Sequence, residues 1–146
     1  GGAFPRPDLH ERLERVLEQT RPDLVVACYR MNDGIYHPLD DQRFAKFKAG
    51  IERLHEAVES RGAKIIHLTP ALFDAKPLQG RLLPIGLASY PKPYEGYDDV
   101  LEAYSAWLLN RRADGWEVID VHGAMKSALA ARRAEKADFT FASDGV

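Results

Sequence analysis

The residues Leu24-Val25-Val26-Ala27-Cys28 form an unbroken apolar run behind Pro22-Asp23, and they lead into the polar, turn-forming cluster Tyr29-Arg30-Met31-Asn32-Asp33-Gly34. A short apolar run without period-2 alternation is what a strand covered on both faces looks like, and such strands belong to parallel α/β sheets. Ligands in those sheets bind outside the carboxyl ends of the strands. The residues just past Tyr29, above all Asn32 and Asp33, therefore stand where chemistry is expected. Cys28, the single cysteine, reads as a small core residue, and one thiol allows neither an internal disulfide nor a thiolate metal cluster.

The rest of the chain supplies the elements such a sheet needs. Asp8 and Glu11 have the spacing of a capping box, and Leu9, Leu13, Val16 and Leu17 form one apolar stripe behind it. Asp40-Asp41 introduces a second helix with Phe44, Phe47, Ile51, Leu54 and Val58 on its inner side and Gly62 as its C-cap. Residues 64–69 read as a second strand, so strand, helix and strand make a right-handed parallel crossover. Asp98 is expected to cap a third helix carrying Val100, Leu101, Tyr104, Trp107 and Leu108. Residues 116–121 are a third strand, and a fourth amphipathic helix runs from about 124 to 134. The fold class implied is α/β, a three-layer α/β/α sandwich with about three parallel strands near 23–29, 64–69 and 116–121 and helices on both faces.

Residues 71–96 are punctuated by Pro77, Pro84, Pro91 and Pro93, with Tyr90 and Tyr94 among them. A loop of this length is usually functional or disordered. The aromatic content favours an ordered lid, with Tyr90 and Tyr94 forming part of a cleft wall and contacting substrate.

The formal charge of −2 is dispersed among residues of both signs, which gives no electrostatic footprint for nucleic acid and no basic membrane face. No apolar run approaches the roughly 20 residues of a spanning helix. His10, His55 and His122, on or beside helices, are expected to be solvated, and His67 to be a satisfied strand residue. His37 is the histidine nearest the presumed cleft. No pair has metal-ligand spacing, so neither a metal nor another cofactor is expected.

Alone, Asn32-Asp33-Gly34 reads as a tight turn. Together with Ser143-Asp144-Gly145-Val146 at the other end of the sequence, Met31-Asn32-Asp33-Gly34 resembles the SGNH (GDSL-type) hydrolase family. The resemblance implies a flavodoxin-like sheet order and two roles. Asn32 matches the family asparagine whose amide donates to the oxyanion, and Asp144 matches the aspartate that orients the catalytic histidine. Asp33 is then a loop-bracing residue beside the substrate. The family's glycine two residues before that asparagine is Arg30 here, which either crowds the site or contacts substrate. The family's Gly-Asp-Ser block and the glycine of its second block have no counterpart. The expectation is therefore a single domain, incomplete at both ends, inactive alone, with further strands beside the one at 23–29.

The activity implied is that of a serine esterase or acylhydrolase working by Ser-His-Asp chemistry on small acyl esters, those of carbohydrates among them. A reading from another class also stands: a non-catalytic α/β module binding a small polar ligand through Asn32, Asp33 and the 71–96 loop. The sequence carries no signal of oligomeric state beyond an edge at 23–29 that favours association when unpaired.

Overall fold

The computed structural model describes residues 9–29, 37–87 and 90–145. In order these form α1 (Leu9–Thr20), β1 (Leu24–Cys28), α2 (Asp41–Glu59), β2 (Lys64–Leu68), α3 (Tyr97–Asn110), β3 (Glu117–Ile119) and α4 (Val121–Glu135). Short 3₁₀ turns lie at Lys76–Leu78 and Arg111–Asp114. The three strands make one sheet of order β1-β2-β3, parallel throughout, with Leu24 opposite Lys64 and Ile66 opposite Glu117. The α/β class and the strand positions agree with the sequence expectation, and β1 is an edge of this sheet.

Both crossovers step the same way across the sheet. Right-handed connections then place α2 and α3 on the same face. Alternation does the rest: Ala27, Ile65, His67 and Val118 point under the helices and are buried, while Leu24, Val26 and Ile119 point the other way and are 50%, 55% and 51% exposed. The apolar run of β1 is thus not covered on both faces among the described residues. Cys28 belongs to the uncovered parity and is exposed, not a core residue as its neighbours suggested.

Three apolar clusters fill the covered side. Leu17, Ala27, Val58, Ala63 and Ile65 join α1, β1, α2 and β2. Ile51, Leu108 and Val118 join α2, α3 and β3, with Trp107 and Trp116 packed around them. The third cluster joins α3 to the 71–96 segment: Tyr97, Val100, Leu101 and Tyr104 meet Phe73, Tyr90 and Tyr94. That segment is therefore packed, and a bridge between Leu83 and Tyr94 closes it on itself.

Helix ends follow local chemistry, with three differences from expectation. Asp40 caps α2 by accepting from the Arg43 amide at 2.8 Å, and Ser60 is its C-cap; Gly62 takes the left-handed conformation (φ +77°) in the turn beyond. Gly96, not Asp98, is the N-cap of α3. The Asp98 carboxylate is drawn off to the Phe73 amide at 2.8 Å and to His122 Nε2 at 3.1 Å, partners distant in sequence. α4 starts at Val121 because Asp120 caps it through the Gly123 amide at 2.8 Å.

That cap reverses the usual effect of a helix glycine. A Cβ on Gly123 would collide with the Asp120 carboxylate, whereas one on Gly50 in α2 meets nothing. Gly50→Ala should stabilise the fold by up to about 1 kcal/mol. Gly123→Ala should instead destabilise it, because displacing the cap costs about 1 kcal/mol or more. Urea unfolding of the two variants reads the difference in sign.

Candidate functional site

Parallel strands present their carboxyl ends together, and here those ends are Cys28-Tyr29, Thr69-Pro70 and Asp120. Thr69, buried, stitches two of them. Its amide donates to the Ile119 carbonyl at 3.0 Å, and its hydroxyl accepts from the His122 amide at 2.9 Å and donates to Asp120 Oδ1 at 3.3 Å. Beside it the Asp98 carboxylate holds the buried His122 ring and the Phe73 amide, which fixes where the 71–96 segment leaves β2.

Asp74, five residues beyond Thr69, gathers the end of the chain. Its buried carboxylate accepts from Arg133 Nη2 at 2.7 Å, Thr140 Oγ1 at 3.0 Å and the Lys76 amide at 3.1 Å. Arg133 Nε also donates to the Phe139 carbonyl at 3.0 Å, and Lys76 Nζ to the Ala137 carbonyl. The Asp74 amide donates to the Gly145 carbonyl at 2.8 Å. A buried carboxylate is stable only when its acceptor sites are filled in this way. Gly145 fits because it has φ +83° and no side chain; a Cβ there would stand 2.6 Å from the Asp74 carbonyl oxygen. Next to this clamp lies an open cleft of about 470 Å³ lined by Asp74, Lys76, Gln79, Leu82, Glu95 and Arg133.

Of the residues singled out from sequence, Arg30, Asn32 and Asp33 lie outside the described residues. Asp144 is exposed and adjoins the clamped Gly145. Tyr90 and Tyr94 are 5% and 4% exposed with rings 4.4 Å apart. The Tyr90 hydroxyl accepts from the Gly86 and Leu87 amides at 2.7 and 2.8 Å. Burial, then Tyr90 and Asp99 nearby, pushes the Tyr94 phenol up from its ordinary value. Both rings brace the loop from within.

Sequence reasoning missed the Asp74 clamp and misjudged two histidines: His55 and His122 are buried, not solvated. A signal for His55 was present, since Ile51, His55 and Val58 fall at i, i+4 and i+7 on one helix face. Among the described residues no group of three or more His, Cys, Asp or Glu side chains is arranged to hold a metal ion, and no helix is long and apolar enough to cross a membrane.

A comparison with curated protein sequences found no match. Among solved structures the chain is similar to a gut microbial diltiazem-metabolizing enzyme, with a TM-score of 0.58 at 12% identity over 95% of this chain. At that identity the likeness speaks for the fold alone. The chain spans 33% of the length of that solved chain. A family model matches residues 1–141, a span that takes in Asn32 and stops short of Asp144. The chain belongs to the GDSL-like Lipase/Acylhydrolase family.

Proposed function

We propose that the protein carrying this chain is a serine esterase or acylhydrolase acting on small acyl esters, carbohydrate esters among them. Membership of the acylhydrolase family supports a hydrolase kind. The observation that most directly supports the assignment of Asp144 is the bond from the Asp74 amide to the Gly145 carbonyl. It fixes the neighbour of Asp144 against the loop leaving the carboxyl end of β2, the edge at which β1 also ends.

In this reading a serine hydroxyl attacks the ester carbonyl carbon and passes its proton to a histidine, which later returns it to the leaving alkoxide. Asp144 holds that histidine in the tautomer that can accept the proton. The Asn32 amide donates to the oxygen that becomes negative in the tetrahedral intermediate, a charge absent from the ground state. Asp33 is assigned the role of bracing Asn32, and Arg30 either crowds the acyl group or holds substrate. The serine and histidine come from a longer chain, and the 146 residues alone are inactive.

The test is hydrolysis of p-nitrophenyl acetate by the complete protein. Asn32→Ala should lower kcat roughly a hundredfold with little change in KM, because one oxyanion donor is worth about 3 kcal/mol in the transition state. A kcat within about twofold of the parent defeats the assignment, since the oxyanion account requires a far larger loss. Arg30→Gly separates the two placements of that side chain: a raised kcat means it crowds the acyl group, a raised KM that it holds substrate.

The clamp has its own prediction. Asp74→Asn keeps the shape but removes the charge that faces Arg133, so the bond network should weaken by about 1–3 kcal/mol. If the clamp sets Asp144, kcat falls with it while the far edge of the sheet keeps its protection from hydrogen exchange. Unchanged kcat in a folded Asp74→Asn protein would show that the clamp is structural only.

A further inference from the structure

The open cleft of about 470 Å³ beside the Asp74 clamp falls within the roughly 300–1,000 Å³ of small-molecule sites, yet it lacks the mainly apolar lining such sites usually have. Two of its walls come from the 71–96 segment. The 3₁₀ turn Lys76–Leu78 makes the first, pinned where the Lys76 amide donates to Asp74 Oδ1 at 3.1 Å. Leu82 and Glu95 make the second: the Leu83 amide donates to the Pro93 carbonyl at 3.2 Å and the Glu95 amide to the Leu83 carbonyl at 3.1 Å, and Tyr94 between them is buried in the α3 cluster. Arg133 of α4 makes the third. Each wall is already held by bonds within the protein, so binding has little left to order.

The lining side chains carry both signs. Arg133 uses Nε on the Phe139 carbonyl and Nη2 on Asp74, and Lys76 uses one ammonium hydrogen on the Ala137 carbonyl. A guanidinium has five hydrogens and an ammonium three, so both cations keep hydrogens to donate. Gln79 and Glu95 are exposed, and among the described residues neither side chain is committed to another group. A carboxylate ligand would meet Glu95, and an ammonium ligand would meet Lys76 and Arg133. An apolar ligand would dry these groups without replacing their partners, which is costly. What fits is an uncharged ligand whose groups both donate and accept. Hydroxyls do both, and Leu82 offers an apolar patch to the C–H face of a ring.

We propose that this cleft is a saccharide site, in which Gln79 and Glu95 bond to sugar hydroxyls and Leu82 packs on the ring. Asp74 joins it to the candidate site, since the same residue lines the cleft and holds the Gly145 carbonyl next to Asp144. The histidine that Asp144 is assigned to orient returns its proton to the leaving alkoxide, so the leaving alcohol lies on that side of the ester. That the seated sugar is this alcohol rests on the hydrolase reading; that the cleft holds a saccharide does not.

Glu95 is the more discriminating of the two. A carboxylate oxygen only accepts, and hydrogen bonds to it are stronger than those between neutral groups. An acetylated oxygen has no hydrogen to give it. Glu95 therefore selects a free hydroxyl for the cleft and leaves the ester outside, on the side of Asp144. Gln79, with an amide that donates and accepts, holds a neighbouring hydroxyl without that selectivity.

The test uses the complete protein, with the methyl glycosides of glucose, galactose and xylose as probes. With at least one of them the NMR signals of the Gln79 side-chain amide and the Glu95 backbone amide should shift together and saturate. Glu95→Ala should weaken that binding about tenfold and Gln79→Ala about threefold, the scales for hydrogen bonds to a charged and to a neutral group. No saturable shift with any probe, shifts confined to other residues, or binding unchanged in both variants would each overturn the site. Ester turnover then tests the placement. Monoacetylated glycosides should be better substrates than fully acetylated ones, and in Glu95→Ala the ratio of their kcat/KM to that of p-nitrophenyl acetate should fall about tenfold. An unchanged ratio overturns the assignment of the sugar as leaving alcohol. Saturable binding at the cleft of a protein that hydrolyses no ester would keep the saccharide site and remove the hydrolase reading, whereas hydrolysis with no sugar bound at the cleft would do the reverse.

Discussion

The sheet advances in a single direction, β1 to β2 to β3, and much of the molecule follows from that step. Because parallel crossovers are right-handed, α2 and α3 have no choice of face, and one parity of every strand becomes core while the other does not. His67 and Ile65 are buried for the same reason that Val26 and Ile119 are exposed. The chemistry of the buried parity is also unusual. Where a parallel strand would ordinarily present only Val, Ile or Leu, β2 presents an imidazole, and α2 and β3 answer it with His55 and the neighbouring Trp116. A buried imidazole is tolerable when both nitrogens are satisfied and costly when one is not, so this part of the core is specified by hydrogen bonding as well as by volume.

Much of the fold was legible because it rests on local patterning. The inner stripe of α3, Val100, Leu101, Tyr104 and Leu108, is buried as its spacing implies, and the strands fall within a residue or two of where apolar runs and flanking prolines put them. What was not legible depends on partners remote in sequence. Asp98 looks like a helix cap because Asp is a good one, but Phe73 and His122 compete for the same carboxylate and win. Cys28 looks like core because its neighbours are apolar, yet among the described residues its parity faces away from α2 and α3 and it is exposed.

The site divides in the same way. The candidacy of Asn32 rests on a short motif behind a strand, a signal that lies within a few residues. The Asp74 clamp joins groups 59 and 66 residues away in sequence, and no periodicity marks either partner. Gly145 carried a hint, since a glycine after Ser143-Asp144 often marks a left-handed turn. Its closeness to the Asp74 backbone emerges only when the chain end is laid against the loop that follows β2.

The same magnitudes decide what the 71–96 segment can do. Phe73, Tyr90 and Tyr94 are all buried against α3, and burying a large apolar side chain is worth roughly 1.5–3 kcal/mol. Lifting the segment away would expose all of them. Its cost is several kcal/mol, on the scale of the 5–15 kcal/mol that holds a whole domain together. A lid that must open at every turnover cannot carry that penalty, so the aromatic content that suggested a lid argues for the opposite. The described part of the segment is packed on α3, and any gating at this edge must come from elements that bury less.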